Sequence, residues 1–274
     1  MKLLAVQRRE KIREKLLEKE SITVAEIVET FGISVETVRR DFDVLESEGF
    51  LDKIYGGAVL KRRTAVVPNQ ALRRAALSDH IKRVAERAVR FMKEGDTIFL
   101  DNSVTVSYMC PGLMNQNITV LTNSLYVINE LSKSKTVKLI AIGGAYDEVE
   151  DAFLGPTAIE CLQKFQVDRA FFSCKSFTMD RGVMVGSEQR ANMTNAIIKS
   201  AQQTCLLVDH SKFDKSSFVH LCPFEAIDRL FTDEIISEEW RVLFEQKGVK
   251  VFECLEDGCP EDTDIDPLDV EDNK

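Results

Sequence analysis

The chain has 274 residues, of which 44% are hydrophobic and 30% are charged, and its net charge is −9. This length allows two globular domains, and the sequence has no apolar run of about 18 residues, which excludes a membrane-spanning helix. The seven cysteines include no Cys-x-x-Cys pair and the three histidines form no spaced group. We therefore expect reduced thiols and neither a metal nor another cofactor. Because the N-terminus lacks the apolar stretch of a signal peptide, we also expect a cytoplasmic protein without membrane contact.

The negative charge is concentrated at the C-terminus. Residues 1–63 carry 13 Lys and Arg against 12 Asp and Glu, and residues 64–252 carry 22 against 23. Residues 253–274 carry ten acidic residues and one lysine, which accounts for the whole imbalance. The sequence therefore predicts a disordered acidic tail over residues 255–274 and a nearly neutral remainder of the chain.

The first 60 residues predict three helices and a β-ribbon, which together are typical of a winged helix-turn-helix domain. The apolar spacing indicates helices over residues 8–18, 24–31 and 35–48, with Thr23 and Ser34 placed as N-caps of the last two. Gly49 is a helix-ending signal. Two β-prone segments, residues 50–55 and 58–60, meet at Gly56-Gly57, a dipeptide that tolerates the positive φ angles of a hairpin turn.

The third helix predicts DNA recognition. Val35, Val38, Phe42 and Leu45 fall within an arc of about 80°, which leaves Arg40 on the opposite side of the helix. Recognition helices enter the major groove with their N-terminal half, where arginine can bond guanine. We expect the basic residues nearby to contact phosphates, and these are Arg8, Arg9, Lys53, Lys61, Arg62 and Arg63. The predicted DNA-binding residues are Ser34, Glu36, Thr37, Arg39, Arg40, Lys53 and Tyr55. The alternative is a solvated helix whose arginines pair with Glu36, Asp41 or Asp43.

The rest of the chain predicts a second, larger domain. Residues 61–77 indicate a linker, and apolar spacing predicts a helix over residues 78–93. Short apolar runs then alternate with helical segments up to about residue 254, which favours a mostly parallel sheet covered on both faces. The predicted strands are 97–100, 118–121, 137–142, 169–173, 204–208, 230–232 and 249–254. The predicted helices between them are 125–131, 156–165, 187–203 and 238–246.

Motifs along the chain resemble the signature of the DeoR family of bacterial sugar-metabolism repressors. The N-terminal matches are Thr37-Val38-Arg39-Arg40-Asp41-Phe42, Leu45-Glu46, Gly49-Phe50-Leu51 and Gly56-Gly57-Ala58. The family usually has histidine where this chain has Tyr55. The resemblance reaches about residue 252 through Glu94-Gly95-Asp96, Leu121-Thr122-Asn123-Ser124, Gly143-Gly144, Leu154-Gly155-Pro156, Val167-Asp168-Arg169-Ala170-Phe171-Phe172, Ser211-Lys212-Phe213 and Thr232-Asp233.

The resemblance implies an α/β protein in which a winged helix-turn-helix over residues 1–60 precedes a Rossmann-like sensor domain over residues 78–254. Such sensor domains are similar to ribose-5-phosphate isomerase and bind an effector, typically a phosphorylated sugar, at the carboxyl ends of the strands, where open α/β sheets bind their ligands. The predicted effector-binding residues are Asp101, Asn102, Ser103, Thr105, Thr122, Asn123, Ser124, Gly143, Gly144, Lys175, Glu188, Asp209 and Lys212.

The sequence departs from the family at several of these loops. The family's Asp-x-Gly-Ser/Thr-Thr loop becomes Asp101-Asn102-Ser103-Val104-Thr105, and a family lysine on the helix after Gly186 becomes Thr194. In one interpretation the site is retuned for another effector, with Lys175 supplying the missing cation. In the other, sugar-phosphate sensing is lost and the domain mainly holds an oligomer together.

The resemblance further implies a homodimer or homotetramer that binds a double-stranded DNA operator and represses carbohydrate-metabolism genes. A sugar-phosphate isomerase is the enzymatic alternative, for which Glu188, Asp101 and Asp209 are candidate bases. A metabolic isomerase has no use for a DNA-binding domain, so we expect a regulator and not an enzyme.

Overall fold

The computed structural model describes residues 5–19, 21–47, 50–60 and 79–255. The chain forms two compact units, residues 1–77 and residues 78–274. The predicted linker and nearly all of the predicted acidic tail lie outside the described residues. None of the described helices is long and apolar enough to cross a membrane.

In the first unit, the described residues form three helices and a three-stranded antiparallel sheet. The helices are α1 (Ala5–Lys19), α2 (Val24–Phe31) and α3 (Val35–Ser47). The strands are β1 (Ser21–Thr23), β2 (Leu51–Ile54) and β3 (Gly57–Leu60), in the order β1-β3-β2. The predicted helices and ribbon are present, whereas β1 falls where the sequence indicated only a break. A strand of three residues is too short for its alternation to be recognised, although Ile22 is buried between exposed Ser21 and Thr23.

Side-chain and glycine caps define the helix ends in this unit. The Thr23 side chain accepts a hydrogen bond from the Glu26 amide at 3.1 Å, and the Ser34 hydroxyl accepts one from the Thr37 amide at 3.2 Å, as predicted. Gly32 ends α2 with a φ of 62°, a left-handed conformation that favours glycine. The predicted end of α3 at Gly49 lies outside the described residues.

The ribbon uses its two glycines for different reasons. Gly56 has a φ of 79°, as a tight hairpin turn requires. Gly57 pairs with Thr23 of β1, and a Cβ atom at Gly57 would lie 2.3 Å from the Ile22 carbonyl oxygen. The second glycine is therefore needed because β1 approaches closely, and not because of its φ angle.

The second unit is built on a seven-stranded sheet in which every pairing is parallel, which confirms the predicted α/β class. Its strands are β4 (Thr97–Leu100), β5 (Thr119–Thr122), β6 (Lys138–Ala141), β9 (Val167–Phe172), β12 (Ala201–Leu207), β14 (Arg229–Thr232) and β15 (Lys250–Glu253). Their order is β15-β14-β12-β9-β4-β5-β6.

Helices cover both faces of this sheet. They are α4 (Asp79–Val89), α5 (Val104–Ser107), α6 (Cys110–Leu113), α7 (Leu125–Leu131), α8 (Pro156–Leu162), α9 (Glu188–Lys199) and α10 (Glu238–Lys247). Alternate residues of β4 face opposite layers: Leu100 packs in an apolar cluster with Val84 of α4. Phe99 packs in another cluster, with Met193 and Ile197 of α9. The sheet is thus buried on both sides, which is why its strands appear in the sequence as continuous apolar runs.

Two small antiparallel sheets complete the unit, and neither was predicted. One is the hairpin of β7 (Ala145–Asp147) and β8 (Ala152–Leu154). The other contains β10 (Ser176–Thr178), β11 (Gly182–Val185) and β13 (Val219–Cys222). Their strands have only three or four residues, which is too short for alternation to be recognised, and β13 joins β11 from a distant segment of the chain.

The helix predicted over residues 187–203 was too long. It ends at Lys199, and the Ser200 hydroxyl donates to the Ala196 carbonyl at 2.9 Å. Ala201 already pairs with Val167 of β9. The parallel ladder therefore takes residues that local helical spacing assigned to α9. The helix predicted over residues 78–93 likewise ends earlier, at Val89.

Candidate DNA-binding surface and effector site

The third helix presents two arginines on the side away from the core. Val38, Phe42 and Leu45 are buried, while Arg39 and Arg40 are exposed. Among the predicted DNA-binding residues of this region, Ser34 and Glu36 are also exposed and Thr37 is half-buried. The predicted arc was wrong for Val35, which is 45% exposed because it occupies the first position of α3, where no earlier helical turn covers it.

An ion pair between α1 and α3 corrects the expected role of Arg8. Its Nε lies 2.6 Å from Oδ2 of Asp41, and its Nη2 donates to Oδ1 at 3.1 Å. The side chains of Arg8 and Asp41 are 12% and 4% exposed. Arg9 lies 3.7 Å from the same carboxylate. Arg8 and Arg9, both predicted to contact phosphate, therefore neutralise Asp41 at the α1–α3 contact. Only 12% of the Arg8 side chain is exposed, which is too little for the predicted contact with DNA.

The arginines of α3 do not share this partner. Arg40 lies 3.6 Å from Glu36 one helical turn earlier, and both side chains are strongly exposed. An exposed pair of this kind contributes little to stability and is readily exchanged for another partner. Arg40 is thus available to a duplex, although the predicted alternative pairing with Glu36 is present in the free protein.

The β2–β3 ribbon forms ion pairs with α3 through Lys53. Its ammonium group lies 2.5 Å from Oδ1 of Asp43 and 3.0 Å from Oε2 of Glu46. The hydrogen bonds to Asp43 and Glu46 raise the pKa of Lys53, and Lys53 in turn lowers the pKa of Glu46. Tyr55 is fully exposed beside Gly56 at the turn. Lys61, Arg62 and Arg63 lie outside the described residues.

In the second unit, Asp101 lies at the carboxyl end of β4. Its Oδ1 accepts hydrogen bonds from the amide and the hydroxyl of Ser103 at 2.8 and 2.5 Å, and its Oδ2 accepts one from the Ser173 amide at 3.1 Å. Burial raises the pKa of Asp101, and the Arg190 charge and these hydrogen bonds act in the opposite direction. Asp101 therefore organises the neighbouring loops, and Ser103 replaces the family glycine by closing the turn with its own side chain.

Arg190 is a residue of this site that the sequence analysis missed. It lies in the first turn of α9, where its Nη2 is 3.5 Å from Asp101 and its Nη1 is 3.3 Å from Oε2 of Glu150. Nη2 also donates to the Ser173 carbonyl at 3.4 Å. Arg190 precedes Thr194 by four residues, so both lie on the same side of the helix. This spacing could have identified Arg190 from the sequence, because it places a cation one helical turn before Thr194, where the family lysine is missing.

Lys175, which was expected to supply that cation, has an exposed side chain. Its amide donates to the Met184 carbonyl at 2.9 Å. The cation that the structure brings to Asp101 is therefore that of Arg190. A contact between Lys175 and an effector stays a prediction.

The polar residues after β5 mainly hold the loops together. The Thr122 hydroxyl donates to the Leu100 carbonyl at 2.7 Å, and Ser124 accepts from the Val127 amide at 3.4 Å as the N-cap of α7. The Asn123 amide group donates to the Phe153 carbonyl at 3.1 Å. Its Oδ1 is buried and has no hydrogen-bond partner among the described residues, and the same holds for the Ser176 hydroxyl. These two atoms are acceptors that a ligand can use.

Asn102 connects the first loop to the β7–β8 hairpin. Its amide nitrogen donates to the main-chain carbonyl of Glu150 at 2.9 Å and to Oε2 at 3.1 Å. The predicted glycines precede this hairpin. A Cβ at Gly144 would lie 2.8 Å from the Ala158 Cβ, so that glycine allows close packing against α8.

The remaining predicted residues have different environments. Thr105 is buried within α5, whereas Glu188 is exposed in the first turn of α9. Asp209 lies 3.4 Å from Lys212. Burial alone would raise the pKa of Asp209, but the Lys212 charge and the Ser211 hydrogen bonds hold it below its ordinary value.

Two families of known domains match this chain in the same order as its two units. Residues 8–64 match the DeoR-like helix-turn-helix domain, and residues 78–234 match the DeoR C terminal sensor domain. The chain belongs to the DeoR family. The matches confirm the resemblance and the DNA-binding class, and they identify a DeoR-family transcriptional regulator and not an enzyme.

Curated DeoR-family relatives cover almost the whole chain. The uncharacterized HTH-type transcriptional regulator YulB of Bacillus subtilis is 33% identical over 91% of this chain and 96% of its own length. The lactose phosphotransferase system repressor of Lactococcus lactis is 31% identical over 88% and 95%. Ribose 5-phosphate isomerase A of Methanocaldococcus jannaschii is a solved structure with 18% identity and a TM-score of 0.37, covering 49% of this chain and 54% of its own.

Proposed function

We propose that this DeoR-family regulator represses carbohydrate-metabolism genes by placing α3 in the major groove of an operator. The observation that carries the proposal is the division of α3 into a buried side, with Val38, Phe42 and Leu45, and an exposed side with Arg39 and Arg40. Two such helices in a dimer or tetramer would meet half-sites about 34 Å apart. Because a DNA-binding regulator must reach the chromosome, the proposal agrees with the cytoplasmic location expected from the sequence.

We further propose that a small phosphorylated sugar bound at the carboxyl ends of the sheet strands releases the protein from DNA. The Lactococcus lactis relative is named as the repressor of a lactose phosphotransferase system. In the present chain, the Arg190 guanidinium could bind an anion, and Asn123 Oδ1 and the Ser176 hydroxyl, which have no hydrogen-bond partner in the part of the chain that the structure describes, could bind hydroxyls. The effector must bind the DNA-free arrangement better than the DNA-bound one, since only differential affinity shifts an equilibrium.

The alternative is a domain that serves oligomerisation alone. It is favoured by the ion pairs of Arg190, which is already in contact with Asp101 and Glu150. A thermal-shift series with sugar phosphates and the matching unphosphorylated sugars separates the two functions. Stabilisation by a phosphorylated sugar supports sensing, and no stabilisation by any compound supports the alternative.

The DNA-binding proposal is tested with an operator selected from random DNA by the full-length protein. Arg40→Ala should weaken specific binding by about 1–3 kcal/mol, relax specificity at one base and leave random-DNA affinity almost unchanged. Lys133→Ala, which removes one exposed positive charge from the second unit, is the matched control. Equal losses on both DNAs would assign Arg40 to phosphate, and a wild-type protein without salt-sensitive DNA affinity would overturn the proposal.

A further inference from the structure

Arg190 connects three segments that are distant in sequence. From α9 it reaches Asp101 after β4, the Ser173 carbonyl after β9 and Glu150 at the tip of the β7–β8 hairpin. Its side chain is 14% exposed. Two carboxylates therefore contact one guanidinium beside the carboxyl end of β4.

The two carboxylates depend on Arg190 to different degrees. Asp101 is buried and accepts three hydrogen bonds from Ser103 and Ser173, whereas its closest distance to Arg190 is 3.5 Å. Glu150 is 20% exposed and lies closer to Arg190, at 3.3 Å. A partly exposed carboxylate returns to water at a lower cost than a buried one. Glu150 is therefore the partner that can be exchanged.

The hairpin tip that carries Glu150 is held by hydrogen bonds within the hairpin and from neighbouring loops, including one from the Leu125 amide to the Asp151 carbonyl at 3.1 Å. Asn102 donates to the Glu150 carbonyl and to its carboxylate, and the Tyr146 hydroxyl donates to Asp151 at 3.1 Å. Asp151 has a φ of 50°, a left-handed conformation that is uncommon outside glycine. The hairpin pairs with itself and not with the seven-stranded sheet, so opening of the tip would break loop hydrogen bonds and leave the pairing of the main sheet intact.

Buried polar atoms of this unit that have no hydrogen-bond partner among the described residues are a second observation that points to a ligand. The Oδ1 atom of Asn123 and the hydroxyl of Ser176 are both buried without a hydrogen-bond partner among the described residues. The Nε of Arg190 is in the same condition, although its two other nitrogens are engaged. An amide oxygen and a hydroxyl suit ligand hydroxyl groups, and a guanidinium N–H suits an anion.

We propose that Glu150 is an internal competitor for Arg190, so that the β7–β8 hairpin closes the effector site until an anionic, hydroxyl-bearing ligand displaces the Glu150 carboxylate. The inference rests on the proposed effector function and assigns Arg190 to the anionic group of the ligand. Glu150 then sets the concentration at which the regulator responds, because every bound anion must first replace it.

The test compares Glu150→Gln with Glu148→Gln in the full-length protein. Glu148 has the same charge in the same tip but is exposed. With inorganic phosphate as the probe, calorimetry should give about three- to tenfold tighter binding for Glu150→Gln than for the wild type, and no change for Glu148→Gln. Equal affinities for the two variants would overturn the competition.

Hydrogen exchange of the wild-type protein keeps the proposal testable if Glu150→Gln does not fold. The amides of Val149 and Glu150 both donate to Asp147 at 2.9 Å in the closed tip. Phosphate at concentrations that stabilise the protein should speed their exchange, and unchanged exchange would contradict the opening. DNA release is measured separately. Tighter phosphate binding by Glu150→Gln without any effect of phosphate on DNA binding would retain the competition between Glu150 and the anion and would reject the proposed effector function.

Discussion

The ion pair between Arg8 and Asp41 makes the stability of the DNA-binding unit depend on one buried carboxylate. Asp41→Asn keeps the shape of the side chain but removes its charge, so Arg8, whose side chain is 12% exposed, loses its ion pair with Asp41. Removal of one member of a buried pair costs about 3–5 kcal/mol. Because Arg8 is slightly exposed and asparagine still accepts a hydrogen bond, we expect a loss of about 2–3 kcal/mol.

Hydrogen exchange of the α3 amides measures this loss directly. A decrease of about 2–3 kcal/mol corresponds to exchange about 30- to 150-fold faster, provided that the amides exchange through unfolding of the unit. The only tryptophan of the sequence, Trp240, is buried in the second unit, so its fluorescence reports on that unit and should not change. This separates a local effect from a general loss of folding.

The matched control is Asp43→Asn, which removes the same charge from the exposed side of the same helix. Asp43 pairs with Lys53 at the surface, where screening by water makes ion pairs weak, so we expect no measurable change in exchange. Arg8→Met combined with Asp41→Leu should recover part of the lost stability, since it leaves no unpaired buried charge from this pair. If Asp41→Asn and Asp43→Asn have equal effects, the reasoning about burial is wrong.

Three further predictions concern the ribbon, a histidine and the tail. Gly57→Val should destabilise the first unit by about 1–3 kcal/mol and weaken DNA binding, because its Cβ would lie 2.3 Å from the Ile22 carbonyl oxygen. A Cβ at Gly56 would meet no atom within 4 Å, so Gly56→Asn should destabilise the unit less in the same hydrogen-exchange assay. Burial alone would lower the pKa of His210, but its hydrogen bond to Asp233 and the charges of Asp233, Glu234 and Asp209 raise it above the ordinary value of 6.5. The stabilisation by protonated His210 is present at low pH and is lost as pH rises through the raised pKa. Raising the pH from about 6 to about 8 should therefore lower the Tm of the wild type more than that of His210→Gln, and parallel Tm curves would contradict the assignment. Deletion of residues 256–274 should leave the Tm unchanged, and a large decrease would show that the tail is docked on a folded unit.

Local sequence was sufficient to predict the elements whose stability comes from near neighbours. The capping hydroxyls of Thr23 and Ser34 act within three residues, and the buried side of α3 follows from a period of 3.6 residues. The strands of the parallel sheet were visible because both of their faces are apolar. The same logic failed at Val35, where helical spacing predicted burial but the end of the helix is uncovered.

Only the tertiary structure decided which charges meet. Arg8 and Asp41 are 33 residues apart, and Arg190 is 40 residues from Glu150. Helical or strand periodicity contains no information about such pairs, because they form only when the topology brings separate segments together. The sequence by itself predicted a helix with exposed arginines and an α/β sheet with a polar edge, whereas the fold decided that Arg190 lies beside Asp101.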